Sequence, residues 1–151
     1  MVVSMINYNK LAKEILKDRL SVKHSIKWMD CCSNSNNEIY GYTDCCAIFI
    51  FNRNDNLLKE LPEKTIDLDK FIEPEHIKSD IVKSITFERD YNNNIDYAII
   101  STENYKVYAN KKYFDFIEHF DYIKVSKSNE PIRVYDNDTI IAIILPIYRN
   151  N

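Results

Sequence analysis

Hydrophobic positions along this chain switch between two periods. From Asn7 onward Leu11, Ile15, Val22, Ile26 and Met29 recur at helical spacing, which predicts a helix capped by Asn7 or Asn9 and running to about Met29. Lys10, Lys13, Lys17, His24 and Lys27 then fall on roughly the opposite face as a basic stripe. Alternation takes over at Glu38–Thr43 and Cys45–Phe51, a predicted hairpin around Asp44. Between Asn56 and Asp80 the pattern is less regular. Pro62 and Pro74 act as breakers there, and helical turns are expected at Asn56–Glu60 and Asp67–Phe71.

Strand signals resume at Ser84–Tyr91, Asp96–Ser101 and Tyr105–Tyr108. Asn110 then caps a predicted helix over Lys111–Phe120, whose Tyr113, Phe114, Phe116, Ile117 and Phe120 cover one broad apolar face. Tyr122–Val125, Ile132–Tyr135 and Thr139–Ile144 come next as strands, with Asn137 in the last turn. Adding a short strand at Val2–Ile6, the chain holds about eight or nine strands and two main helices. The order strand, helix, strands occurs twice, so the halves read as structural repeats. The expected fold class is α+β, with two helices packed on antiparallel sheets in one domain of 151 residues.

Composition narrows the function classes. A 45% hydrophobic content marks a folded chain rather than a disordered one. A net charge of −3 provides neither a global basic field for nucleic acid nor the acidic excess of a DNA mimic. No apolar run approaches the roughly 20 residues of a membrane helix, so no membrane partner is expected. The N-terminal MVVSMI lacks the basic and long apolar regions of a signal peptide, which points to the cytoplasm. With Gly41 as the one glycine, turns that need positive φ fall to Asn or Asp. Abundant Ile, Asn, Lys and Tyr suit an AT-rich genome, such as that of a low-GC bacterium or its phage.

Candidate chemistry is sparse. The cysteines form two vicinal pairs, Cys31-Cys32 and Cys45-Cys46. Neighbours in a strand point to opposite faces, so no zinc site is expected from them, and they read as small apolar residues in a reducing compartment. His24, His76 and His119 are dispersed, with no nucleophile fixed near them by a motif. Asp67, Asp69, Glu73 and Glu75 make an acidic patch around Pro74, read first as a solvated loop or a surface facing a basic protein, with cation binding as the lesser alternative. Phosphate-loop, dinucleotide and metalloprotease patterns are absent, and neither an enzyme nor a cofactor is expected.

Tyr108, Asn110, Tyr113 and Asp115, then three strands with Pro131 opening the penultimate one and Ile144-Leu145-Pro146 closing the last, resemble the end of a DNA sliding-clamp domain. The motif covers about a third of the chain and the element order most of it. The resemblance implies two half-units, each a helix backed by curved sheet. A bacterial clamp chain contains three such domains and this chain has the length of one, so the family's interdomain peptide pocket is not carried over. A stand-alone clamp-like domain suits a phage-encoded protein that occupies a surface of a host DNA-handling or defence complex, such as a CRISPR effector, and inhibits it. The partner expected is thus a host protein or protein complex. Nucleic-acid binding through the lysine stripe, as a processivity module assembling from several copies into a ring, is the alternative, and a small-ligand-binding protein is a third.

Overall fold

In a computed structural model, residues 6–21, 27–33, 35–56, 58, 65–72, 79–126 and 130–148 are described. The chain enters helix α1 (Tyr8–Leu20) through Asn7, whose side-chain oxygen accepts the Lys10 backbone N–H at 3.1 Å. Leu11 and Ile15 bury the inner face. The helix stops at Leu20, well before Met29, because Ser21 is extended and its N–H turns back to the Asp18 carbonyl. Asp18 also fastens the approach to the first strand: its carboxylate accepts the N–H groups of Lys27 at 2.8 Å and Trp28 at 3.0 Å. Met29, expected on the helix, instead opens strand β1 (Met29–Cys32). The predicted hairpin forms as β2 (Ile39–Thr43) and β3 (Ala47–Asn52), with an Asp44 oxygen accepting the Cys46 and Ala47 N–H groups in the turn.

Strand β4 (Thr65–Asp67), a one-turn helix α2 (Asp69–Ile72) and strand β5 (Asp80–Val82) occupy the irregular middle. A 3-10 turn at Arg53–Asp55 precedes them, and residues 57, 59 and 60 of the turn expected at Asn56–Glu60 lie outside the described residues. Next come β6 (Thr86–Asp90), β7 (Ile95–Ser101) and β8 (Lys106–Asn110). The second predicted helix is a single turn, α3 (Lys111–Phe114), capped by Asn110 as expected. Tertiary pairing ends it: the Phe116 carbonyl accepts the Asn7 N–H at 2.8 Å, and Ile117 bridges Ile6. Phe116 is buried, whereas Phe120 is half-buried and packs on the edge of the core. Strands β9 (Tyr122–Val125), β10 (Ile132–Asp136) and β11 (Thr139–Ile144) complete the chain.

This is an α+β fold with eleven strands among the described residues, in place of the eight or nine expected. The additions β1, β4 and β5 are only three or four residues long and carry no clear alternation. The large sheet runs β4-β1-β2-β3-β11-β10-β9-β5, and β6-β7-β8 form a second sheet. The large sheet has a mirrored order. Meander β1-β2-β3 comes after α1, meander β9-β10-β11 comes after α3, and the two join antiparallel through their last strands. The β1–β4 pair is parallel, a departure from the all-antiparallel expectation.

Both faces of the large sheet are covered at its centre. Along β3, Ala47, Phe49 and Phe51 point into the main core with Leu11, Ile15, Tyr113 and Phe116. Ile48 and Ile50 point the other way, onto Leu68 and Ile143. Alternate burial on two faces makes β3 continuously apolar, the pattern of a strand covered on both sides. Ala98, Ile100, Val107 and Ala109 of the small sheet close the main core.

Candidate functional site

The expected basic stripe is shorter in three dimensions. Lys10, Lys13 and Lys17 are exposed together on α1, opposite Leu11 and Ile15. Lys27 lies beyond the helix end and its backbone is held by Asp18, so it leaves the stripe. His24 lies outside the described residues. Exposed Glu14 lies one turn from both Lys10 and Lys17. Lys10 is also drawn toward α3, its ammonium 3.4 Å from the Asp115 carbonyl and 5.7 Å from the Phe116 ring centre. On α3, Lys111 is paired with Asp115 at 2.7 Å. What remains is a small, locally neutralised cationic surface.

The acidic patch divides differently. Asp69 accepts hydrogen bonds from the Ser33 hydroxyl, the Ser35 N–H at 3.0 Å and the Ser35 hydroxyl at 3.1 Å, which tie α2 to the turn after β1. Asp67 accepts the Asp69 N–H at 3.1 Å and starts that helix. Both carboxylates thus accept hydrogen bonds within the fold. Glu73 and Glu75 lie outside the described residues.

Two residues behind the clamp resemblance, Tyr113 and Leu145, tie the two halves together. The Tyr113 hydroxyl donates to Asp44 at 2.7 Å, linking α3 to the first hairpin, and burial followed by this bond raises its pKa far above the ordinary phenol value. Tyr108 accepts the Ile147 N–H at 2.7 Å, and Leu145 donates its N–H to the Cys46 carbonyl at 2.8 Å. Cys45 and Cys46 sit in the β2–β3 turn, both exposed, and not in a strand as expected. Cys31 is buried and Cys32 half-buried, as successive strand residues facing opposite sides. Burial first, then Asp30, pushes the Cys31 thiol pKa well up.

Two arrangements had no sequence signal. The first is a polar cluster that the β9–β10 pairing assembles from distant positions. His119, Asp121 and Asp136 bring one ligand atom each to within 4.8 Å of one another. His119 Nδ1 stands 3.8 Å from Asp136, and Asp121 also accepts the Asn137 N–H at 2.6 Å. Burial and then the Asp121 carboxylate raise the pKa of Asp136. The second is an open groove of about 1070 Å³ between the ends of β3 and β11, with Asp136 on its rim. Its floor holds buried Ile6, Phe51 and Ile141. Carboxylates of Glu38, Asp55, Glu118 and Asp136 surround that floor, and the described lining residues include no Lys, Arg or His.

Fold and site thus define an α+β protein with a mirrored sheet and an acidic groove at its centre. No protein-family model, curated protein or solved structure matches the chain. No described helix is long and apolar enough to cross a membrane.

Proposed function

We propose that this chain is a non-catalytic binding protein of clamp-like build that acts by occupying a surface on a host DNA-handling or defence complex. The mirrored sheet carries the reading. Each half presents a helix and then a three-stranded meander, and the meanders meet at their last strands. That arrangement supports the two-half-unit plan that the motif from Tyr108 to Pro146 implies. Its features favour contact over chemistry, since Tyr113 and Leu145 of the motif serve as ties between halves and the groove is open and rimmed by carboxylates. Affinity capture from a host lysate tests it. The expected result is a stoichiometric protein component of a DNA-handling complex, retained after nuclease digestion. Retention that disappears with the nucleic acid contradicts it.

Exposed Lys10, Lys13 and Lys17 favour one second reading, a duplex-binding module working as a ring of several copies. Glu14 within the stripe and the Lys111–Asp115 pair both weaken such a surface. Sedimentation distinguishes the two, since the ring reading requires a closed oligomer.

A further inference from the structure

The large sheet is split near its centre. Strands β3 and β11 pair at Ala47 with Ile144, Ile48 with Ile143 and Phe49 with Ala142. Both strands run past that zone: β3 continues to Asn52 beside β2, and β11 begins at Thr139 beside β10. Among the described residues, then, the edges Ile50–Asn52 and Thr139–Ile141 each have a strand on one side only. A register shift between Val134 and Tyr135 leaves Ile141 as an extra residue in β11. Such a bulge increases local twist, which turns the start of β11 away from β3. Residues of both edges line the acidic groove.

A strand edge facing a gap is a template for another strand, since the backbone groups of an extended chain can continue the ladder. The groove walls add a charge preference. Asp136 stands at the β10 end, Glu38 and Asp55 flank β2 and β3, and Glu118 lies just past the bridge at Ile117. No ion pair among the described residues reaches Glu38, Asp55 or Glu118. The buried apolar floor suits the alternate side chains of an extended segment, whose other side chains then face the carboxylates.

We propose that this groove receives an extended, lysine- or arginine-bearing segment of a partner protein, which adds as a strand along an open edge and sets its cations against Asp136, Glu118, Glu38 and Asp55. The proposal rests on the binding-protein reading and names the kind of segment bound.

The test uses the full chain and three synthetic probes: a capped peptide alternating valine with lysine, its glutamate counterpart, and a lysine version with alternate backbone nitrogens methylated. Calorimetry is expected to show binding of the lysine peptide alone, weakening with added salt. Glu118→Gln with Asp55→Asn, both at exposed positions, should weaken it by about tenfold or more. Amide hydrogens of Ile50–Asn52 or Thr139–Ile141 should gain exchange protection on binding, a readout that needs no variant. Absence of binding, equal binding of the glutamate or methylated peptide, or protection elsewhere overturns the proposal. So does a preference for magnesium or calcium ions alone, displacing the peptide from the His119, Asp121 and Asp136 cluster. Capture of the same host protein by the parent and by the groove variant overturns the groove assignment but leaves the binding-protein reading intact. Peptide binding without host capture does the reverse.

Discussion

Gly41 is fixed by space, not by backbone freedom. A Cβ at this position of β2 would lie 2.5 Å from the Phe49 carbonyl oxygen and 3.0 Å from the Cys31 sulfur. Positive φ is handled elsewhere, at Asn94, Asn137 and Asp138 as composition required, and also at Cys45. Gly41→Ala is expected to destabilise the protein by about 1–3 kcal/mol, because the neighbour at closest approach is backbone and cannot swing away. Urea unfolding checks this, and an unchanged midpoint at unchanged slope would contradict it. A glycine count flags scarcity but not crowding, since the contact comes from β3, which only the hairpin register brings near.

At the scale of elements, long alternating stretches and capped starts were legible, and helix ends were not. Asn7, Asn110 and Asp44 start or turn their elements through their own side chains, so the signal lies within a few residues. The end of α3 is set instead by a partner far along the chain, and that of α1 by Ser21 together with ties to the approach to β1. Arg19 pairs with buried Asp30 at 2.6 Å, and Asn7 donates its N–H to the Phe116 carbonyl. Phe116 remains the anchor of α3, edge-on to Phe49 with ring centres 5.4 Å apart and to Trp28 at 6.5 Å. Phe116→Ala is expected to cost about 3–5 kcal/mol, measurable by denaturant titration, and a near-silent change would sink this packing. The Tyr113–Asp44 bond predicts a pH effect. Tyr113 titrates higher folded than unfolded, so its contribution is fully present below the ordinary phenol pKa and is lost as pH rises above about 10. Tyr113→Phe should therefore flatten the alkaline loss of stability by up to one proton, about 1.4 kcal/mol per pH unit. An identical slope in parent and variant would count against the bond.

At the scale of the whole molecule, a repeat was expected from element order, and the mirrored sheet joins the two meanders edge to edge through β3 and β11. The candidate site was not visible. Its groove exists because two strands diverge after pairing, and its walls come from Glu38, Asp55, Glu118 and Asp136, which have no common motif. The lysine stripe was visible but overestimated, because the helical period was extended past Leu20 to Lys27. Groove and stripe pull toward different partners, and the proposed function is contact with another protein rather than with duplex DNA. An equilibrium titration of the unmodified chain with duplex DNA over a range of salt, alongside Lys13→Glu with Lys17→Glu, separates the two. No salt-sensitive binding is expected near physiological ionic strength, and the double variant should match the parent in stability and partner capture, since exposed charges contribute little. Duplex binding that weakens with salt, and whose salt slope drops by about one counterion for each lysine replaced, would contradict the protein-contact proposal and favour the duplex-binding module.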